Sequence, residues 1–214
     1  MALTTYTELK ASIADWLKRS GVSGIASTTD QIPDFITIAE KRLFNDLKVR
    51  EMELQSSTST AAGTATVALP TGYLSAKWLY IDTDPRVALE YISGEIAAKM
   101  LATASTDKPR YYSTEGSNWR LYPTPGAVYT LQYLIYKEPT ALSGSTATNV
   151  IFPTYSHLYL YASLIEAFNF LEDDAQVNKY ENLYKRFLKI ANDSDVEDRH
   201  SGSTIRVRSD TGNP

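Results

Sequence analysis

The residue types that could do chemistry are scarce. Among 214 residues there is no cysteine and there are two histidines, His157 and His200. Without cysteine there can be no disulfide, iron–sulfur cluster, thiolate zinc site or cysteine nucleophile. Ser156 and His157 are neighbours on a predicted helix, where adjacent side chains point in different directions, so they make a poor nucleophile–base pair. A histidine on a packed helix is the reading preferred for His157. Asp82 and Asp84 break off after two ligand positions with Pro85 following, which suits a turn better than a calcium loop. Glu172, Asp173 and Asp174 lie between two predicted helices and read as capping residues. Asn192-Asp193-Ser194 matches a glycosylation sequon, but no secretion signal accompanies it. No glycine-rich phosphate loop or dinucleotide fingerprint is present. The expectation is no catalytic residue, no cofactor and no metal.

The aromatics are the exception. There are fifteen tyrosines, a residue type enriched where a surface is half apolar and half wet. Tyr111, Tyr112, Trp119 and Tyr122 fall on adjacent predicted strands, where core packing or a subunit contact is the preferred reading and a platform for sugar or single-stranded nucleic acid is the alternative. Arg110 and Arg120 are too few for a nucleic-acid surface, and the net charge of −4 argues against tight duplex binding.

The elements that must position these groups follow from periodicity. Thr5 and Glu8 form a capping box for a helix to about Ser20, with Leu9, Ile13, Trp16 and Leu17 on one face. Pro33 opens a second helix, with Ile36, Ala39, Leu43 and Leu47 as its stripe. From Arg50 the period shortens. Strands are predicted at 51–60, 64–69, 77–81, 86–91, 110–113, 119–122 and 128–137, with a short helix at 93–102. Short turns between the successive later strands predict antiparallel pairing. A helix at 154–171, apolar on nearly every face, precedes an antiparallel neighbour from 173. After Asp193 the apolar pattern stops, and the remaining residues read as a mobile arm. The fold class is α+β: a helical bundle built from both ends of the chain (1–50 and 151–192), an inserted antiparallel β-rich domain with one short helix (51–150), and an extended C-terminal arm (193–214). The sequence opens MALTTYTELK, without a basic region and apolar core, so the chain is expected to stay in the compartment where it is made. No apolar run is long enough for a membrane anchor.

An ordered set of strings carries a resemblance: YTELKASIADWLKRS, IPDFITIAEKRLFNDLKVREME, LPTGYLSAKWLYID, LEYISGEIA, KPRYYSTEG, WRLYPTPGAVYTLQYLIYKE and HLYLYASLIEAFNFLEDD. Together, over residues 5–190, they resemble head-to-tail adaptor (connector) proteins of short-tailed bacteriophages, related to tail tubular protein A. The resemblance implies a structural virion protein in the tail or neck region, assembled in the bacterial host cytoplasm. It implies a ring of twelve copies below the portal, extending the DNA channel and docking the tail nozzle, with Tyr111, Tyr112, Trp119 and Tyr122 as subunit or tail contacts, the genome passing through and no sequence-specific DNA binding. A different virion ring component, such as a head-completion or stopper protein, and a sugar- or single-strand-binding module are the alternatives. In the arm, extended backbone would place Ile205 and Val207 on one side and Arg206 and Arg208 on the other. These four residues are expected to clasp the portal, with the ring templated there.

Overall fold

The computed structural model describes residues 3–19, 31–100 and 106–200. Its helices are α1 (Tyr6–Arg19), α2 (Ile32–Asp46), α3 (Gly94–Met100), α4 (Phe152–Phe170) and α5 (Asp174–His200). Its strands are β1 (Glu53–Ser59), β2 (Thr66–Ala68), β3 (Tyr73–Ile81), β4 (Val87–Tyr91), β5 (Thr106–Asp107), β6 (Tyr111–Glu115), β7 (Asn118–Tyr122), β8 (Thr124–Pro125) and β9 (Thr130–Lys137). The class is therefore α+β. The chain divides into two compact units, residues 1–51 with 140–214, and residues 52–139.

The first unit is built from α1, α2, α4 and α5. At the start of α1 the capping box forms: the Glu8 amide donates to Thr5 Oγ1 (3.3 Å), and Glu8 Oε2 accepts the Thr5 amide (3.0 Å). Pro33 sits in the first turn of α2, where its missing N–H costs nothing. The centre is α4. Leu158, Tyr159, Ala162, Leu164, Ile165 and Phe168 are all buried, as a helix without a polar face requires. Tyr159 meets Phe44 at 6.4 Å and Phe152 at 5.0 Å, and Phe168 stacks on Tyr180 at 5.4 Å. Asp173 caps α5 by accepting the Gln176 amide (3.1 Å).

Two boundaries differ from the sequence expectation. Residues 140–150 belong with the helices rather than with the β insertion. Their backbone is held there: the Leu142 amide donates to the buried Glu40 carboxylate (2.9 Å), the Tyr6 amide donates to the Ala147 carbonyl (2.7 Å), and Asn149 Oδ1 accepts the Phe152 amide (2.9 Å) to cap α4. Residues 193–200, placed in the arm, are helical instead, because α5 continues to His200. After α2 ends, its trailing backbone needs partners, and α5 supplies them. Asn192 Oδ1 accepts the Lys48 amide (2.9 Å), and its amide group donates to the Asp46 carbonyl (3.3 Å). Asp195 Oδ1 accepts the Arg50 amide (2.9 Å) and Arg50 Nε (3.2 Å), while Asp198 takes Arg50 Nη2 (3.0 Å). Polar groups order this stretch where apolar burial could not.

The second unit is a seven-stranded sheet in the order β1-β9-β3-β4-β6-β7-β2, with β5 and β8 pairing separately in parallel. The β6–β7 hairpin is antiparallel, but β9 leaves it and runs antiparallel between β1 and β3. Leu131, Tyr133 and Ile135 on β9 are buried, and a strand with that alternation is best used in the middle of a sheet. β4 and β6 are parallel, Glu90 opposite Tyr111, which a crossover containing α3 allows. The main core of the sheet is one cluster, with a smaller one of Ile92, Ala97 and Tyr122 beside α3. Val67, Leu79, Ile81, Leu89, Tyr112, Leu121, Leu131, Tyr133 and Ile135 gather around Trp119, which has no exposed surface. Gly72 (φ 76°) occupies the third position of a turn closed by the Tyr73 amide on the Pro70 carbonyl (3.1 Å). This is the position of a type II turn that favours glycine.

Candidate functional site

Three of the four aromatics offered as subunit or tail contacts are buried, Trp119 and Tyr112 in the main sheet core and Tyr122 in a smaller cluster with Ile92 and Ala97. Trp119 is fully buried against Tyr73 (5.7 Å) and Tyr133 (5.1 Å), and Tyr112 and Tyr122 are also buried. Their apolar area is spent within the chain. The Tyr122 hydroxyl donates to Glu115 Oε1 (2.8 Å), and that carboxylate also takes Ser113 Oγ (3.0 Å) and Arg120 Nη1 (3.2 Å). The Tyr122 bond, then the Arg120 and Ser113 bonds, hold Glu115 below the usual carboxylate range despite desolvation. Tyr111 is half-buried. It borders an open cleft of about 570 Å³ with Glu90, Asp107, Lys108 and Arg110, in which two carboxylates balance two cations. Ile205, Arg206, Val207 and Arg208 lie outside the described residues.

The remaining candidates have local jobs. Asp82 is engaged by Arg86 Nε (3.3 Å), and Thr83 Oγ1 donates to the Pro85 carbonyl (2.9 Å), which closes the turn. Among the described residues, no group of three or more His, Asp or Glu side chains could hold a metal ion. Glu172 adopts φ 57°, in the left-handed region, where the Asp173 amide reaches the Phe168 carbonyl (3.1 Å) and ends α4. That conformation costs a non-glycine residue about 1–2 kcal/mol. Glu172→Gly is expected to raise stability by about 0.5–1 kcal/mol after the entropy of a glycine is subtracted. A urea midpoint that falls would show that the Glu172 side chain itself stabilises the turn.

His157 is half-buried, its ring packed edge-on against Phe187 with the ring centres 5.2 Å apart, and burial pushes its pKa down. The sign follows. A histidine whose folded pKa is depressed binds its proton more readily when unfolded, so its contribution is present above the ordinary value near 6.5 and is lost as pH falls below it. Stability measured by urea titration is expected to drop between pH 7.5 and 5.5, and His157→Gln is expected to flatten that slope. An unchanged slope would assign the drop to other groups.

The surface that remains aromatic is one the types alone did not single out. On β3, Leu79 and Ile81 face the core while Trp78 and Tyr80 stack on the other face at 5.2 Å. A bulge between Ala76 and Trp78 resets the alternation, so that Trp78 lies opposite Leu134 and Tyr80 opposite Gln132. The Arg86 guanidinium lies over Tyr80 (5.2 Å), and Lys77 lies over Tyr136 (5.6 Å) while its Nζ bonds Glu53 (2.9 Å). Half-buried Trp78, Tyr80, Leu134 and Tyr136 with Arg and Gln beside them have the composition of a protein contact surface. The sequence signal was the strict alternation of aromatic and aliphatic positions in KWLYI.

No helix among the described residues is long and apolar enough to cross a membrane. No curated protein sequence matches the chain at a significant level. The family model described as SU10 adaptor protein matches residues 4–208, nearly the whole chain. That family is one of structural phage proteins, which is not an enzyme class, and its role implies portal and tail partners. By that match the chain, with its two compact units, belongs to the SU10 adaptor family of phage head-to-tail adaptors.

Proposed function

We propose that copies of this chain close into a ring, twelve in number, seated between the portal and the tail nozzle, in the manner of tail tubular protein A, and that the genome passes through the ring. The family match over residues 4–208 carries this reading. A ring needs a heterologous interface, in which one patch meets a different patch on the next copy and the rotation closes. The face carrying Trp78, Tyr80, Leu134 and Tyr136 is suited to one side of such a contact. The net charge of −4 suits a wall past which DNA slides, since a basic lumen would hold phosphates. The protein would then sit in the neck of the virion after synthesis in the host cytoplasm. The test is imaging of virions with this subunit tagged. A closed ring of tagged density below the portal supports the reading. Tag found elsewhere in the particle, or as single copies, overturns it.

A further inference from the structure

β1 is an edge strand of the seven-stranded sheet. β1 pairs with β9 over seven consecutive residues, Glu53 opposite Tyr136 to Ser59 opposite Thr130, with no bulge. It stands at the end of the sheet order, so among the described residues no strand pairs with its other side. Edges of this length are ordinarily guarded by lysine, proline or a bulge. β1 reads ELQSSTS, with none of these, and its one charge, Glu53, is already held by Lys77. At the opposite end β2 is only three residues long.

The two faces of β1 are unlike. Leu54, Ser56 and Thr58 lie opposite Ile135, Tyr133 and Leu131, on the core side. Glu53, Gln55 and Ser57 share the face of Tyr136 and Leu134. A strand added here is therefore wanted with apolar residues on one side and cations or polar groups on the other, in period two. The chain carries one segment of that description beyond its last described helix. Residues 203–208 read STIRVR, placing β-branched Ile205 and Val207 on one side and Arg206 and Arg208 on the other. The fourteen residues 201–214 that follow α5 could span at most about 50 Å if fully extended.

We propose that residues 203–208 of one copy add as a strand to the β1 edge of the next, Ile205 and Val207 beside Leu54, Ser56 and Thr58, and Arg206 and Arg208 beside Glu53 and the Tyr136 ring. This rests on the ring reading above and gives the segment a different partner from the portal expected of it. Each copy carries one donor and one acceptor, and they are different patches. The exchange is therefore heterologous, uses the β1 edge of every copy, and closes only with the ring. Main-chain bonds supply the affinity and the alternation supplies the register.

The absence of native cysteine makes the test clean. A Ser56→Cys, Val207→Cys double variant, which puts both thiols on the core-side face, is assembled with portal and oxidised. The expected result is a ladder at multiples of the 23.8 kDa chain, abolished by reductant. A link within single chains overturns the proposal, as does a link to portal. No link in particles that still show a closed ring by native mass measurement overturns it and leaves the ring standing. No ring at all overturns both. A second variant, Ile205→Asp with Val207→Asp, lies outside the described elements and is expected to lower ring yield at least tenfold with unchanged circular dichroism. Unchanged ring yield would overturn the proposal.

Discussion

Trp119→Ala is expected to cost about 3–5 kcal/mol and to unfold the β unit first, because a fully buried aromatic leaves a cavity its neighbours cannot fill. Trp119 touches Tyr73 and Tyr133 and sits among residues from β2, β3, β4, β6, β7 and β9, so no single strand can collapse into the space. Its indole N–H has no acceptor among the described residues, so Trp119→Phe, which keeps an aromatic ring, is expected to cost clearly less than Trp119→Ala. Urea denaturation followed by far-ultraviolet circular dichroism measures both. A Trp119→Ala variant with the stability of the parent, impaired only in subunit contact, would return Trp119 to the interface where its residue type had suggested it.

The second large effect is at the end of α5. Asp195 is 6% exposed and accepts both the amide and Nε of Arg50. Asp195→Ala orphans a backbone N–H and a charge-assisted bond, and is expected to cost about 1.5–3 kcal/mol. Arg50 is half exposed, which keeps the figure at the lower part of that range. The loss is expected to be local. Amide hydrogen exchange should accelerate over residues 194–200 and 48–50, while α4 keeps its protection. Uniform acceleration across the first unit, or none, would contradict a tether that works through Arg50. The consequence reaches the segment beyond His200, since the helix end fixes where residues 201–214 start.

These two sites also show what was legible in the sequence. The capping box at Thr5 and Glu8, the proline at the start of α2 and the all-round apolar α4 are local patterns, and local patterns can be read along one chain. The partner of β9 could not be read that way. The alternation of Leu131, Tyr133 and Ile135 declares a strand with a buried face, but the adjacent hairpin and the distant β1 and β3 would satisfy it equally. Asp195 was missed because its partner is 145 residues away, and a polar stretch ordered by hydrogen bonds looks, by composition, like a disordered one. A signal did exist: Tyr180, Tyr184, Ala191 and Asp195 recur at spacings of four, seven and four, one helical face continued past Asp193. Among the aromatics, residue type could not separate core from contact surface. Alternation with neighbours could, since Trp119 alternates with Arg120 while Trp78 and Tyr80 alternate with the aliphatics Leu79 and Ile81.

Native mass measurement of the purified full chain, alone and after mixing with the portal, tests most directly whether the protein acts as repeated copies joined around a passage. The expected result is a portal complex heavier by a closed set of identical 23.8 kDa copies, with no partial sets persisting at saturation. A complex carrying a single copy, or a portal that gains no mass from an excess of folded chain, would contradict it.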